Sequence, residues 1–516
     1  MNRRRVGAVA FVIAAVTALS RIGGFLREAA VAAVFGAGAE VDSFLVAQSV
    51  PNVLIALLST AVVTSALPAL THRVACGDSD GATRTFNAVA TTVLLGLVPA
   101  TFLLFLAAPL VVRLLAPGFG VEQTSVAAHL ARIVLVSTVV VAATNLLSAL
   151  LHAHRRHVWP SLEGLPFNAV MITAALVLGP VIGVEALAIG FVAGSVARLG
   201  VQLLGLRGTQ VRLRPRLDLR DPGLRESFAL LPTVVISHVV SNINHVVDRL
   251  VASTLRTGTI AAVGFGHRLA TLPHGLLSHA LIQVLYPTLS ARLATDGPSA
   301  AGDLLRRGTV TLSIVLVPVA ALLAVESTTI VTLVYGRGRF DADDVALTAA
   351  ALLAFAPGLV FTGVRDVALR GLYGLSDRRS PIIAAVTGAG VNIIGDVTLG
   401  PTFGVTGLAL ATSASQAVSC AVAFSALRRV DPQLRRRLSA RPLAAVAIAG
   451  SVAVLVMMLV AAAAPVGATM PEALIRVAIV GGVGLAGHLL VLRLLGVDEL
   501  ADLTTLLHGV RTRFGR

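Results

Sequence analysis

Long apolar runs separated by arginine-bearing turns constrain this chain more than any other feature. A helix needs about 20 residues to cross the hydrocarbon core of a bilayer. Fourteen runs reach that length, at approximately 6–33, 40–71, 85–115, 124–151, 160–182, 184–206, 226–254, 258–290, 308–334, 343–373, 381–400, 403–427, 440–464 and 472–496. Hydrophobic residues make up 56% of the 516 residues and charged residues only 13%, which excludes a soluble globular domain. The pattern predicts an all-α polytopic membrane protein with 14 transmembrane helices.

The arginines indicate how these predicted spans are oriented. Turns after even-numbered spans are rich in arginine, whereas turns after odd-numbered spans contain almost none. Arg337 and Arg339 are the main exception. Because arginine-rich loops stay on the cytoplasmic side, both termini are predicted to be cytoplasmic. The net charge of +15 does not indicate a nucleic-acid partner, since the arginines lie between apolar runs and form no patch with interleaved aromatic residues.

The chain also contains an internal repeat. Residues 179–188 begin Gly-Pro-Val-Ile-Gly and align with residues 400–409, which begin Gly-Pro-Thr-Phe-Gly, at an offset of 221. Spans 1–6 and 7–12 are therefore predicted to be two copies of one unit. The copies have the same orientation because six crossings is an even number, and the site is expected at their interface near the midplane. The predicted domains are an N-terminal lobe (1–206), a cytoplasmic Arg-rich linker (207–225), a C-terminal lobe (226–428), spans 13 and 14 (429–498) and a cytoplasmic tail (499–516).

The first apolar run carries charges that membrane helices normally avoid. Arg21, Arg27 and Glu28 lie in its middle, where each charge costs about 2.5–3.5 kcal/mol. Such charges usually face a bundle interior or a wet cavity, so they predict a functional site. Gly23 and Gly24 lie between the arginines and can bend the helix so that both arginines point the same way. The alternative is an arginine that reaches the membrane interface, with Arg27 and Glu28 as a merely local pair.

Charged residues in the second copy complement those in the first. At the offset of 221, Arg27-Glu28 aligns with Asp248-Arg249, so the order of the charges is reversed. This reversal predicts an anion site in one lobe and a cation site in the other. Arg268 lies deep in span 8, and with Arg21 and Arg27 it would give a cationic cavity suited to a phosphate or pyrophosphate.

The cation side is extended by polar residues in spans 11 and 12. Asn392 and Asp396 are four residues apart and share a helix face, while Thr412 and Leu408 lie level with them across the turn. With Asp248 they offer carboxylate, amide, hydroxyl and carbonyl oxygens, the ligands of a hard cation such as sodium. Proton coupling through the same carboxylates is one alternative. The other is a polar helix contact without an ion.

Five histidines in spans 7 and 8 match no metal-binding spacing. Packing inside the helix bundle is the interpretation, and a proton relay is the alternative. They are His238, His245, His267, His274 and His279.

A set of short motifs follows in a fixed order between about residues 5 and 430. They are Ser20-Arg21, Gly24-Phe25-Leu26-Arg27-Glu28, Phe35-Gly36-Ala37-Gly38, Asp42-Ser43-Phe44, Pro51-Asn52, Val247-Asp248-Arg249, His267-Arg268-Leu269, Tyr286-Pro287-Thr288-Leu289 and Arg370-Gly371-Leu372-Tyr373-Gly374-Leu375-Ser376-Asp377. As an ordered set they resemble the MurJ/MviN family of lipid II flippases in the MOP exporter superfamily.

This resemblance implies a fold, a substrate and a site. It implies two lobes that alternate between inward-open and outward-open states and carry an undecaprenyl- or decaprenyl-pyrophosphate-linked peptidoglycan precursor across the cytoplasmic membrane, with spans 13 and 14 forming a groove for the lipid tail. The implied substrate-binding residues are Arg21, Arg27, Arg268, Asp42 and Glu28. The implied sodium ligands are Asp248, Asn392, Asp396, Thr412 and the carbonyl of Leu408.

The chain departs from the family pattern at one place. After Pro51-Asn52 the family typically has two arginines and then a glutamate, whereas this chain has Ile55, Ala56 and Thr60. One cavity cation and one carboxylate are therefore missing together. The joint loss is consistent with a compensated pair, since a buried arginine without its acid is costly, or with a different polyprenyl-linked glycan as substrate.

The sequence thus predicts a flippase for a lipid-linked cell-wall precursor, driven by sodium or by the membrane potential. It predicts no enzyme activity, because there is no nucleophile–base pair and no phosphate-binding Gly-x-x-x-x-Gly-Lys loop. No cofactor is expected, and sodium is the candidate coupling ion, with the proton as its rival. The expected partners are the lipid-linked glycan, membrane lipids and cell-wall assembly proteins, and the protein is expected to be a monomer. The alternatives are a flippase for another lipid-linked glycan, a MATE-like cation-coupled exporter of small molecules and a transport-inactive scaffold for cell-wall assembly.

Overall fold

The computed structural model describes residues 3–55, 61–209, 211–295, 297–430, 441–464 and 469–500. All regular elements in these ranges are helices. In chain order they are α1 (Arg3–Phe35), α2 (Ala39–Leu54), α3 (Ala61–Ala75), α4 (Ser79–Leu106), α5 (Ala108–Leu115), α6 (Val121–Ala153), α7 (Val158–Leu162), α8 (Gly164–Thr173), a π-helical turn (Ala174–Leu178), α9 (Gly179–Ile182), α10 (Glu185–Gly205), α11 (Pro222–Ser253), α12 (Thr259–Thr295), α13 (Gly297–Val325), α14 (Ser327–Tyr335), α15 (Ala342–Gly374), α16 (Arg379–Val430), α17 (Arg441–Ala463) and α18 (Met470–Leu494). The predicted all-α fold class is confirmed.

Several of these helices are long and apolar enough to cross a membrane. Within the described ranges, nine segments meet that description. One of them, Val158–Ile182, combines α7, α8, the π-helical turn and α9, and another, Arg379–Arg429, contains two of the predicted spans. The chain is therefore a polytopic membrane protein, as predicted, while the number of fourteen spans stays a prediction.

Two compact units make up the chain. The first consists of Met1–Ala261 with Arg337–Asp341, and the second of Ala262–Gly336 with Ala342–Arg516. The predicted division into lobes, linker and added helices places its boundaries differently, near 206 and 226, and stays a prediction.

In the first unit α6 is the central helix. It packs against α2, α4 and α10, while α8 lies between α1 and α10. A buried cluster joins α3, α4, α6 and α11 through Leu70, Phe86, Leu146, Leu150 and Leu224. Since lipid tails are as apolar as leucine, the close fit of these side chains, and not their removal from water, holds such helices together.

In the second unit α15 is the central helix. It packs against α13 and α16, and the hairpin of α17 and α18 packs on α13. Buried residues of α13, α17 and α18 form one cluster, which includes Val310, Ile314, Val446, Ala449 and Leu492. The hairpin is therefore an integral part of this unit.

The repeat in the sequence has a counterpart in the backbone. Gly183 has φ 66° and ψ −150°, and Gly404, which is 221 residues further on, has φ 60° and ψ −135°. This region of φ and ψ is essentially open only to glycine. At both positions the residue separates two helical segments, so the chain makes the same turn between the corresponding spans of each copy.

Candidate functional site

The charged pair of the first helix is present in the structure and largely buried. Nε and Nη2 of Arg27 donate to Oε1 of Glu28 at 3.2 and 2.6 Å. The two side chains are 21% and 11% exposed. A buried arginine is tolerated when a carboxylate is bonded to it, so Glu28 lowers the cost of keeping Arg27 inside the bundle.

The three arginines predicted to line a cavity lie in both units. Arg21 and Arg27 belong to α1 in the first unit, where Arg21 is exposed and Arg27 half-buried. Arg268 belongs to α12 in the second unit and is half-buried near Tyr335. The convergence of the three guanidinium groups on one cavity stays a prediction.

Asp42 has a structural role that its position in the sequence does not indicate. The carboxylate is only 2% exposed. Its Oδ2 accepts a hydrogen bond from the backbone N–H of Gly258 at 2.7 Å, and its Oδ1 accepts one from Ala261 at 2.8 Å. These N–H groups lie at the start of α12, where the first turn of a helix lacks internal partners and the helix dipole favours a negative charge. Asp42 therefore fastens α2 to the first turn of α12, and its predicted contact with substrate stays a prediction.

Four of the five predicted sodium ligands lie in the second unit. Nδ2 of Asn392 donates to Oδ2 of Asp396 at 2.6 Å, and both side chains are buried. The hydroxyl of Thr412 donates to the carbonyl of Leu408 at 3.2 Å. In the structure Asn392 thus contacts Asp396, and Thr412 contacts Leu408. All four residues belong to α16. The oxygens present fit a hard cation by their chemistry.

The fifth predicted ligand, Asp248, lies in α11 of the first unit. Its side chain is 24% exposed, and its Oδ2 lies 3.9 Å from Nδ1 of His245. Among the described residues no group of three or more His, Cys, Asp or Glu side chains could hold a metal. The predicted sodium site needs Asp248 together with the α16 ligands, which are the Asp396 carboxylate and the uncharged oxygens of Asn392, Leu408 and Thr412. That combination stays a prediction.

One of the clustered histidines takes part in a polar network of the second unit. Nε2 of His274 lies 3.1 Å from Oδ2 of Asp366, whose Oδ1 accepts a hydrogen bond from Arg365 at 3.4 Å. Arg365 also donates to the amide oxygen of Gln416. The network joins α12, α15 and α16, so His274 is held by ionic partners and not by apolar packing alone.

Two further charged groups were missed by the sequence reasoning. Arg198 lies in α10 with its Cζ 5.5 Å from the ring centroid of Phe167. Arg476 in α18 donates from Nε to both carboxylate oxygens of Glu326 at 3.0 and 3.1 Å, and Glu326 is 2% exposed. The available signal was the same that singled out Arg27, namely a charge within an apolar run.

Comparison with known proteins assigns the family. The protein-family model for lipid II flippase MurJ matches residues 31–476. The chain is 28% identical to the probable lipid II flippase MurJ of Vibrio cholerae, over 95% of this chain and 96% of the relative. It is 26% identical to the lipid II flippase MurJ of Burkholderia cenocepacia, over 80% of this chain and 82% of that protein.

Solved structures share the fold. A structure of lipid II flippase MurJ in an inward closed conformation aligns with a TM-score of 0.76 at 21% identity, over 96% of this chain and 100% of that chain. An inward-facing multidrug resistance MATE transporter of the MOP superfamily aligns with a TM-score of 0.66 at 15% identity, over 83% and 99%. The fold is therefore the one that MurJ and MATE proteins share. Because the family model covers most of its length, this chain belongs to the lipid II flippase MurJ family.

Proposed function

We propose that this protein translocates lipid II, the polyprenyl-pyrophosphate-linked precursor of peptidoglycan, from the cytoplasmic to the outer leaflet of the bacterial cytoplasmic membrane. The observation that carries the proposal is the match of the flippase family over residues 31–476. Translocation moves a headgroup across the bilayer without making or breaking a covalent bond, so the protein acts as a transporter and not as an enzyme.

The buried charge of α1 supports this proposal. The guanidinium group is always charged, and its planar fork matches the oxygens of a phosphoryl group. Arg27 lies among the helices of the first unit with its charge balanced by Glu28. A pyrophosphate would be drawn to such a group, because a membrane interior offers an anion no comparable solvation.

We further propose that transport is driven by sodium, by the membrane potential or by both. Two lobes would expose the headgroup site alternately to each side of the membrane. Sodium would bind at Asp248, Asn392, Asp396, Leu408 and Thr412. It would shift the populations of the inward-open and outward-open states only if these states differ in their affinity for sodium. The membrane potential would add about 2.3 kcal/mol per elementary charge per 100 mV, and an inside-negative potential favours outward movement of an anionic headgroup.

Reconstitution into proteoliposomes tests the proposed function. Fluorescently labelled lipid II is placed in the membrane, and the fraction of headgroups that an added impermeant quencher or lytic enzyme reaches is followed over time. We expect the wild-type protein to change this fraction, and Arg27→Ala and Arg268→Ala to slow the change at least tenfold, since a hydrogen-bonded charge pair is worth about 1.5–3 kcal/mol. A wild-type protein that leaves lipid II where it was inserted would contradict the proposal.

A cation-coupled exporter of small molecules is the second candidate. The likeness in fold to a MATE transporter favours it. Such an exporter would move cationic dyes and leave lipid II in place, so running both substrates in the same proteoliposomes separates the two functions.

A further inference from the structure

A small pocket lies at one end of α16 in the second unit. Its volume is about 260 Å³. Pockets for drug-sized ligands usually enclose about 300–1,000 Å³, so this pocket fits a smaller group. Polar and apolar side chains from both ends of α16 and from the turn before it line the pocket. They include Asp377, Ser380, Ile383, Val422, Ser425 and Arg429.

The packing of α16 against itself forms this pocket. The helix turns back at Gly404, so its two halves lie side by side and run in opposite directions. A Cβ atom at Gly395 would lie 2.6 Å from Cβ of Ala411, and one at Gly388 would lie 3.1 Å from Cβ of Ser419. Because these glycines have no side chain, the halves pack closely there. The same register brings the first and last turns of the helix next to each other.

Asp377 gives the pocket a fixed negative charge. It lies in the turn between α15 and α16. The backbone N–H groups of Arg379 and Ser380 each donate to its Oδ1 at 3.0 Å. Hydrogen bonds from the side chain and the backbone of Ser380 lower the pKa of Asp377, so the carboxylate is charged at neutral pH. A carboxylate can accept about four hydrogen bonds, and Asp377 therefore keeps capacity for a donor from a ligand.

Arg429 supplies the opposite charge in the same pocket. It is exposed and lies in the last turn of α16. Although Arg429 and Asp377 both line the pocket, they form no ion pair with each other in the part of the chain that the structure describes. Two opposite charges that share a pocket without contact leave a space that suits a ligand carrying both signs of charge.

The outer side of the pocket faces the acyl chains of the membrane. The segment Arg379–Arg429 is long and apolar enough to cross a bilayer. Ile382, Ile383 and Val386 follow the first turn of α16, and each is more than half exposed. Exposed apolar side chains on a membrane-spanning helix are in contact with lipid tails, which are equally apolar. The pocket lies at the end of this apolar surface, at the depth where lipid headgroups begin.

We propose that this pocket binds the headgroup of a membrane phospholipid that carries a primary ammonium group beside its phosphate, as phosphatidylethanolamine does. The ammonium group would donate hydrogen bonds to the carboxylate of Asp377, and the phosphate would accept them from the guanidinium group of Arg429. The acyl chains would leave the pocket along Ile383. Phosphatidylglycerol has no cation for Asp377, and phosphatidylcholine has no N–H group to donate, so the pocket selects the ethanolamine headgroup. This lipid is a resident of the membrane and not the transported substrate.

Native mass spectrometry of the full-length protein in detergent tests the proposal. The protein is mixed with equal concentrations of phosphatidylethanolamine, phosphatidylglycerol and phosphatidylcholine with the same acyl chains, and the fraction of protein that carries each lipid is measured. We expect the first bound lipid to be phosphatidylethanolamine, with a preference of about fivefold or more over the others, because only this headgroup makes both charge-assisted contacts. Equal binding of the three lipids, or a preference for phosphatidylglycerol, overturns the proposal.

Two substitutions and a matched control locate the preference in the pocket. Asp377→Asn keeps a side-chain oxygen for the backbone N–H groups of α16 but removes the charge, so it should bind phosphatidylethanolamine and phosphatidylglycerol alike. Arg429→Ala should weaken the binding of both by about fivefold or more, because each phosphate loses its partner. The control Arg428→Ala removes a neighbouring exposed arginine that does not line the pocket, and it should behave like the wild type. A wild-type preference that persists in Asp377→Asn overturns the proposal.

Discussion

At the scale of single residues, buried charges in this protein are held by specific partners. Glu28 holds Arg27, and Glu326 holds Arg476 through both of its oxygens. Asp42 instead uses backbone N–H groups at the start of α12. Since an unpaired charge inside a protein costs several kcal/mol, each partner is as important to the fold as the charge itself.

Asp42→Asn should destabilise the protein. The asparagine oxygen can still accept one N–H group, but its amide nitrogen faces the other donor and the negative charge at the start of the helix is lost. We expect a loss of about 1–3 kcal/mol, seen as a lower apparent unfolding temperature of the purified protein.

The control for this change is Glu40→Gln in the same helix. Glu40 and Arg339 form an ion pair at 3.4 Å, with side chains 43% and 63% exposed. Exposed pairs contribute about 0–1 kcal/mol, so this variant should unfold close to the wild-type temperature. Equal behaviour of the two variants would show that the capping contacts of Asp42 contribute nothing.

At the scale of elements, the two copies of the repeat share one unusual turn and differ in the polar pairs that they bury. Gly183 and Gly404 make the same turn in each copy. The buried pair in α1 is Arg27 with Glu28, whereas α16 of the second copy buries Asn392 with Asp396. The two copies therefore bury different polar pairs, and an anion site in one copy with a cation site in the other stays a prediction.

Gly183→Ala and Gly404→Ala should each destabilise the protein by about 1–3 kcal/mol, because a side chain is strained at this φ and ψ. A Cβ at either position would meet no atom within 4 Å, so the effect is one of backbone conformation and not of a clash. Thermal unfolding measures it. Gly200→Ala, in α10 with equally open surroundings, should be neutral or stabilising by about 0.5–1 kcal/mol, and a similar loss there would contradict the explanation.

Sodium should stabilise the protein through α16. We expect sodium chloride, compared with potassium chloride at the same ionic strength, to raise the apparent unfolding temperature of the wild type, because a ligand that binds the folded state stabilises it. Asp396→Asn should abolish the difference, since it removes the carboxylate that Asn392 contacts. Equal stabilisation by both salts would rule out a selective sodium site.

At the scale of the whole molecule, the distribution of arginine predicts which loops face the cytoplasm. Cys76 is an exposed residue in the turn after α3, and Arg73 and Arg84 flank it. That turn follows an even-numbered predicted span, so it should be cytoplasmic. The other cysteine, Cys420, is buried.

The native cysteines allow the orientation to be tested without new labelling sites. A membrane-impermeant maleimide should label the protein in inverted membrane vesicles and not in intact right-side-out vesicles. Cys76→Ser should remove the label, because Cys420 is shielded from the reagent. Labelling of Cys76 in right-side-out vesicles would contradict the predicted cytoplasmic location of this turn.

The sequence by itself determined the fold class, the family and the repeat. Apolar runs of this length must be helices in a bilayer, because only a helix or a closed barrel satisfies its own backbone hydrogen bonds there. The order of short motifs identified the family, and the offset of 221 located Gly183 and Gly404 at equivalent turns. Charges within apolar runs pointed to Arg27 and Glu28.

Only the tertiary structure decided which distant side chains meet. A helix that is apolar on nearly every face has no amphipathic pattern to show which of its faces points toward which neighbour. The contact of Arg198 with the ring of Phe167 and the capping of α12 by Asp42 were therefore not predictable. Both contacts depend on how closely helices approach, as at Gly194, where the absence of a side chain admits the ring. The close packing of neighbouring helices decides which side chains become partners. The order of residues along one helix does not specify that packing.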